Sequence, residues 1–200
     1  MAISLQKGQK IDLTKGRAGL SKILIGLGWD PVKKSGSGFL GGLFGGGGGS
    51  NIDCDASVLL IGENDKLEDV VYFGKKLSTC QSVRHSGDNI TGEGDGDDEQ
   101  IFVDLNKVPA HIHKLVFVVN IYQCVQRKQD FGMIQNAFIR VVDSSSNTEL
   151  ANYNLTDNYA GLTALFPGEI YRSGSEWKFS AVGQGTKDTG IDKIAAKYGR

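Results

Sequence analysis

Short apolar runs, rich in β-branched residues and spaced by turns, are the feature that most restricts the fold of this 200-residue chain. Gly, Asn, Asp and Ser separate the runs, and helical patterns do not alternate with them regularly. Two packed antiparallel sheets therefore fit better than a doubly wound parallel sheet. The candidate strands are ISLQ, KILIGLG, ASVLLIG, DVVYFG, QIFVDL, KLVFVVNIY, NAFIRVVD, ELANYNL, EIYR and EWKFSAVG.

Two segments have a helical pattern instead. VPAHIHK at 108–114 begins close to a proline, and in DTGIDKIAAKYG at 188–199 the apolar residues fall on one helical face. The length suits one sizeable core. We therefore predict a single domain over 1–200, mainly β, built as a two-sheet antiparallel β-sandwich with a few peripheral helices, including one at the C-terminal end.

A glycine-rich stretch, GSGFLGGLFGGGGGS at 36–50, interrupts this pattern. Nine of its fifteen residues are glycine, which loses the most backbone freedom on ordering. A phosphate-binding loop is a poor alternative, because no G-K-[ST] follows. We predict a flexible surface insertion within the domain, whose FL and LF pairs leave a docking role open.

The sequence gives little support for membrane insertion, nucleic-acid binding or thiol chemistry. The longest apolar stretch, LVFVVNIY at 115–122, is too short to span a bilayer, and no signal-peptide core precedes it. Basic residues occur in pairs at most, and Cys54, Cys80 and Cys124 are far apart. We expect a cytoplasmic protein that neither spans the membrane nor binds nucleic acid, and cysteines so scattered do not favour direct thiol chemistry.

The stretch HSGDNITGEGDGDDE at 85–99 holds six carboxylates and four glycines without a lysine or arginine. An ordered loop of this kind brings like charges together, at a cost of about 2 to 3 kcal/mol per pair near 6 Å. A divalent cation bound by oxygen ligands would neutralise the cluster. The stretch is not an EF-hand, since Ile90 and Gly92 stand where that loop needs oxygen ligands. A mobile, solvated loop is the alternative.

Further aspartates could complete such a site. Asp53 and Asp55 open a strand and point to the same face, while Cys54 points to the other. Asp30 ends the run GLGWD. Oxygen ligands favour calcium over zinc, and so many protein oxygens favour it over magnesium. A hydrogen bond that fixes the loop is the expected role of His85.

These segments resemble the bacterial TerD family of tellurium-resistance and general-stress proteins. The resemblance rests on LGWD, D-x-D-A-S, the whole acidic stretch, LVFVVNIY with FGMIQNAFIRVV, and EWKFSAVGQG, which together span nearly the whole chain. It implies a β-sandwich, a cytoplasmic location and calcium binding, with one or two ions. The ligands it implies here are Asp30, Asp53, Asp55, Asp88, Asn89, Asp95, Asp97, Asp98 and Glu99.

The resemblance also implies partners from the same stress operons, including a TerC-like membrane protein and TerB-like proteins. A partner in the membrane would allow recruitment of the protein to the inner face of the membrane. Our first hypothesis is a non-catalytic calcium-binding module, because no nucleophile is paired with a base. The alternative is a divalent-metal-dependent enzyme acting on a phosphorylated or nucleotide substrate. The first hypothesis predicts no catalytic and no organic-cofactor residues.

Overall fold

A computed structural model describes residues 2–32, 52–87 and 96–199, which form two six-stranded sheets packed face to face. The predicted mainly β sandwich is confirmed. In spatial order, the strands of the first sheet are β1 (Ile3–Leu5), β10 (Thr148–Asn154), β9 (Ile134–Asp143), β3 (Lys22–Pro31), β7 (Glu99–Asp104) and β6 (Val83–His85).

The second sheet also contains six strands. In spatial order they are β2 (Lys10–Asp12), β12 (Glu176–Thr186), β11 (Ala164–Ser173), β8 (Lys114–Ile121), β4 (Cys54–Ile61) and β5 (Leu67–Val71). Neighbouring strands are antiparallel, except that β1 runs parallel to β10. The chain thus contributes its first strand to one sheet and its second strand to the other.

Strand β4 is apolar on both faces because both faces are covered. Cys54, Ala56, Val58 and Leu60 lie in the core between the sheets. Leu59 and Ile61 belong to a second cluster on the outer face of the second sheet. A strand buried on both sides has an unbroken apolar sequence. This accounts for the continuous apolar run from 58 to 61.

The cover on the outer face is the predicted C-terminal helix, α2 (Ile191–Ala195). Its Ile194 and Ala195 are buried in the outer cluster. Asp188, just before the helix, accepts a hydrogen bond from Thr186 at 2.7 Å and pairs with Lys197 at 2.5 Å. These contacts hold both ends of the helix against the sheet.

The helical prediction for 108–114 is wrong. Residues 109–111 form a turn, closed by the amide of Ile112 donating to the carbonyl of Pro109 at 3.0 Å. The Arg172 side chain reaches this segment from β11 and donates to the carbonyls of Val108 at 2.8 Å and Ile112 at 2.9 Å. A distant arginine therefore satisfies carbonyls that the sequence pattern assigned to a helix.

The remaining described elements are short. A four-residue helix, α1 (Cys124–Arg127), follows β8, and single 3-10 turns occupy Glu63–Asp65 and Phe131–Met133. In the described part of the chain, no helix has the length and apolar character needed to cross a membrane. The predicted insertion at 36–50 lies outside the described residues.

Candidate metal centre

Two buried side chains of the first sheet bond to an unpaired part of β4 in the second sheet. Strand β5 pairs with β4 only from Val58 onward, and no other strand of the described residues lies beside the edge of β4 before that point. There the amide of Ala56 donates to Oε2 of Glu99 at 2.6 Å. Nε2 of His85 lies 3.1 Å from the carbonyl oxygen of the same residue. Glu99 and His85 thus take the place of a missing strand.

The bonds of His85 fix its tautomer. The amide of Gly87 donates to Nδ1 at 3.0 Å, so Nδ1 is the accepting nitrogen. Nε2 then carries the proton and donates to the carbonyl of Ala56 and to Oε2 of Glu99, the latter at 3.2 Å. Both side chains are fully buried. His85, the first residue of the acidic stretch, thus bonds to β4, to Glu99 and to the amide of Gly87.

Asp98 is held next to the end of β3. Its Oδ2 accepts from the amide of Trp29 at 2.7 Å, and its own amide donates to the carbonyl of Leu27 at 2.8 Å. Burial raises its pKa to about 6 in spite of the bond from Trp29, and the negative charges of Asp30, Glu99 and Asp97 add to the rise. The Asp98 carboxylate therefore lies among other negatively charged side chains.

Asp30 is half-buried. It lies in β3, and its Oδ2 accepts a hydrogen bond from Nδ2 of Asn136 at 2.8 Å. Asn136, in β9, has a positive φ of 55°, which asparagine tolerates better than most residues. The local backbone of β9 therefore helps to position the Asp30 carboxylate.

Asp53 and Asp55 approach the same region from the second sheet. They are 8% and 5% exposed, and Oδ2 of Asp53 lies 3.4 Å from Nη1 of Arg127. Cys54, between them, points into the core, as the strand alternation predicts. Burial and then nearby carboxylates raise the pKa of its thiol well above the usual value. The carboxylates, in order of effect, are Asp55, Asp53, Glu99 and Asp98.

Asp97 has a different environment from its neighbours. Arg140 donates to both of its oxygens, from Nε at 2.7 Å and from Nη2 at 2.9 Å, and Gln100 donates to Oδ2 at 2.9 Å. The Asp97 side chain is only 1% exposed. Sequence reasoning found no cation near the acidic stretch, because Arg140 is distant in the chain and reaches Asp97 only through the pairing of β3 with β9. The charge of Asp97 is therefore already paired with that of Arg140.

The described acids alone do not complete a metal site. Of the nine predicted ligands, Asp88, Asn89 and Asp95 lie outside the described residues. Within 2–32, 52–87 and 96–199, no three His, Cys, Asp or Glu side chains are close enough together to hold an ion. What the structure brings together is a set of buried, negatively charged oxygens from both sheets, next to the start and the end of segment 88–95. Such oxygens suit a hard cation.

Comparison with known proteins gives consistent matches. A family model described as "TerD domain" matches residues 1–198. The "Stress response protein SCP2" of Bacillus subtilis (strain 168) is 66% identical over 201 residues, covering 99% of this chain and 100% of the relative. The "Tellurium resistance protein TerD" of Serratia marcescens is 40% identical over 202 residues, covering 100% and 98%.

A solved structure agrees at the level of the fold. The crystal structure of a homologue of telluride resistance protein (TerD), SCO6318 from Streptomyces coelicolor A3(2), aligns with a TM-score of 0.66. The alignment covers 86% of this chain and 94% of that one, at 20% sequence identity. The two proteins therefore share the same sandwich.

Proposed function

This chain belongs to the TerD domain family, which includes stress-response and tellurium-resistance proteins, and we propose that it is a non-catalytic calcium-binding member of that family. In this proposal a bound ion orders the acidic segment, and the ordered face then binds a partner. The observation that carries the proposal is that Glu99 of the first sheet bonds to β4 of the second, and that Asp53, Asp55, Asp98 and Glu99 all act on the Cys54 thiol.

The energetics of this cluster favour a cation. At neutral pH, four carboxylates near one another repel unless something positive lies between them. Burial raises the pKa of Asp98 to about 6, and repulsion from Asp30, Glu99 and Asp97 adds to the rise. A calcium ion takes six to eight oxygen ligands and requires carboxylates in their charged form. Its binding would therefore relieve the strain that the cluster creates.

The proposed ligands fall into two groups. The described acids Asp30, Asp53, Asp55, Asp98 and Glu99 form the fixed side. Asp88, Asn89 and Asp95, from the segment between β6 and β7, complete the set. Asp97, bound to Arg140 through both oxygens, acts in this proposal as the anchor that holds the start of β7. One or two ions are compatible with this number of oxygens.

Ion binding could act as a switch. An ion present at a hundred times its dissociation constant stabilises the bound form by about 2.7 kcal/mol, enough to convert a loose segment into a fixed one. In a cytoplasmic setting, the face so formed would recruit other stress-operon products. A TerC-like membrane protein and TerB-like proteins are the proposed partners. Contact with the former would bring the chain to the inner face of the membrane.

Melting temperature under added ions tests the proposal. Protein stripped of metal with a chelator should gain about 5 to 10 °C with calcium at a hundredfold excess over its dissociation constant, and less with magnesium. Asp53→Asn and Asp55→Asn should lose most of that gain. Asp157→Asn, an acid whose side chain is 45% exposed and pairs with Lys7, is the matched control and should keep it.

Equal stabilisation by calcium and magnesium, or an unchanged gain in the Asp53 and Asp55 variants, would contradict the calcium assignment. The alternative, a metal-dependent enzyme, predicts turnover of phosphate esters or nucleotides by the calcium- or magnesium-loaded protein. The binding module predicts none.

A further inference from the structure

The outer face of the first sheet carries a row of side chains from five neighbouring strands. In register, the row runs from Arg84 (β6) through Phe102 (β7), Leu24 (β3) and Val142 (β9) to Glu149 (β10). The guanidinium of Arg84 lies 4.3 Å from the Phe102 ring, so both side chains lie over the same face. We propose that this row is the centre of an interface with a second copy of the chain. The proposal goes beyond the calcium site, because none of the five residues is a proposed ligand.

The three apolar residues in the middle of the row lie outside both apolar clusters of the protein. Leu24 and Phe102 are half-buried and Val142 is buried, but none of them belongs to the core between the sheets or to the outer cluster of the second sheet. Helix α2 packs in that outer cluster, and α1 buries Cys124 in the core. In the part of the chain that the structure describes, neither α-helix therefore covers the row. Adjacent apolar side chains on an uncovered face are typical of the centre of a protein interface.

The two ends of the row carry opposite charges. Arg84, at the β6 end, is exposed. Glu149, at the β10 end, accepts a hydrogen bond from Asn152 at 2.7 Å through Oε1, and its Oε2 lies 3.4 Å from Nη1 of Arg140. Arg140 is also paired with Asp97, so these three charged side chains together keep one negative charge. A carboxylate has about four acceptor positions, and Glu149 can therefore accept a further donor.

The register makes the row complementary to itself. Leu24 is in the middle, and Arg84 and Glu149 lie two strands away on opposite sides, each at about 10 Å for strands about 4.8 Å apart. When two copies stack these faces around a two-fold axis that runs along β3, Leu24 faces Leu24, and each Arg84 faces Glu149 of the second copy. An axis across the strands would instead put Arg84 on Arg84. Two-fold symmetry is the commonest in homo-oligomers, and the charges select the axis along β3.

The size of the face suits a weak dimer. The strands of the first sheet contain from three to ten residues, and at about 3.3 Å per residue and 4.8 Å between strands they present roughly 600 Å² in flat projection. A standard interface buries about 800 Å² on each partner. The apolar centre of the row is small, and ion pairs at its ends add more to specificity than to affinity. We therefore expect a dissociation constant in the micromolar range.

Sedimentation equilibrium of the full chain, over concentrations from the micromolar to the millimolar range, tests the proposal. We expect a monomer–dimer equilibrium. In NMR spectra of the same series, the amides of Leu24, Phe102 and Val142 should shift with concentration, and those of β4 in the second sheet should not. A monomer at every concentration, or shifts confined to the second sheet, would overturn the proposal.

Charge variants test the pairing of Arg84 with Glu149. Arg84→Glu puts like charges opposite each other and should raise the dissociation constant at least about tenfold. Adding Glu149→Gln removes that repulsion and should bring the constant to within about threefold of Glu149→Gln alone. Lys193→Glu, at an exposed position of α2, changes the net charge equally and should leave the constant unchanged. Equal weakening by Arg84→Glu and Lys193→Glu would contradict the pairing. Melting temperatures of the dilute variants show whether each one folds.

Two further measurements separate this face from other occupants and from the calcium site. A monomer in which the Leu24 and Phe102 signals move on deletion of 36–50 would assign the face to that segment and overturn the proposal. The dissociation constant of the dimer should be the same with calcium and with a chelator. The calcium-induced rise in melting temperature should persist in Arg84→Glu. The dimer can thus fail while calcium binding stands, and the reverse.

Discussion

Glu99, the first residue of β7 in the first sheet, accepts a hydrogen bond from the amide of Ala56 in the second sheet at 2.6 Å. Replacing Glu99 with leucine should leave that amide without an acceptor and leave the Nε2–H of His85 with the carbonyl of Ala56 alone. We expect the free energy of unfolding, measured in urea without calcium, to fall by about 2 to 4 kcal/mol. In a double-mutant cycle with His85→Phe, the two losses should not add, because both residues bond to Ala56. Strict additivity would contradict the shared role.

Arg140 neutralises the buried carboxylate of Asp97. Arg140→Met should lower the free energy of unfolding by about 3 kcal/mol, because it leaves a buried charge unpaired. Adding Asp97→Asn should restore much of the loss. Lys107→Met, which removes one partner of an exposed pair with Asp104 at 3.8 Å, should change stability by less than about 1 kcal/mol. Chemical denaturation of the four proteins measures all of these differences.

Gly26 leaves the space that the Asp97 carboxylate occupies. A Cβ atom at Gly26 would lie well inside van der Waals contact of the Asp97 side chain. Gly26→Ala should therefore displace Asp97 from Arg140 and lower the melting temperature by several degrees, about as much as Arg140→Met. Gly199→Ala is the control, since a Cβ there meets nothing within 4 Å. Equal melting temperatures for Gly26→Ala and the parent chain would show that Asp97 can move at no cost.

Asp69 should make part of the stability depend on pH. Burial works against its charged form, but hydrogen bonds from Lys75 and from the amides of Thr79 and Val70 leave its pKa below the ordinary value. A carboxylate with a lowered pKa contributes stability above its unfolded pKa, about 4, and that contribution is lost as pH falls through the folded value. The difference in unfolding free energy between the parent and Asp69→Asn should thus be large at pH 7 and small at pH 3.

Arg172 holds the turn that the sequence predicts as a helix. Its guanidinium also lies 4.1 Å from the Trp177 ring, and burial lowers its pKa. Arg172→Lys keeps the charge but cannot bond several carbonyls in one plane, so we expect a loss of about 2 kcal/mol. Hydrogen exchange should quicken at the amides of 112 and 113. Arg84→Lys, at an exposed site in β6, should leave those amides unchanged.

The sequence was sufficient for most of the strands, because their patterns come from local burial. KLVFVVNIY covers the whole of β8 and extends one residue beyond it, and EWKFSAVG lies within β12. Strands β2 and β6, with three residues each, are too short to show a period and were not predicted. The helix predicted at 108–114 failed because Arg172, far along the chain, supplies the bonds of that turn. A contact between residues far apart in the sequence leaves no signal in the local sequence pattern.

The candidate site divides in the same way. The types of residue and the alternation of Asp53, Cys54 and Asp55 could be interpreted from the sequence. The pairing of Asp97 with Arg140 could not, because it depends on which strands are neighbours in the first sheet. Nor could the bonds of Glu99 to β4, which depend on the packing of one sheet on the other.

The positions of β1 and β2 also bear on how the protein is made. β1 adds to β10 and β2 adds to β12, so both strands are synthesised more than a hundred residues before their partners and have to wait for them. Pairings so distant in sequence slow folding. Both sheets therefore acquire one edge strand late, and a bulky fusion placed ahead of Ile3 should delay maturation more than one placed after α2.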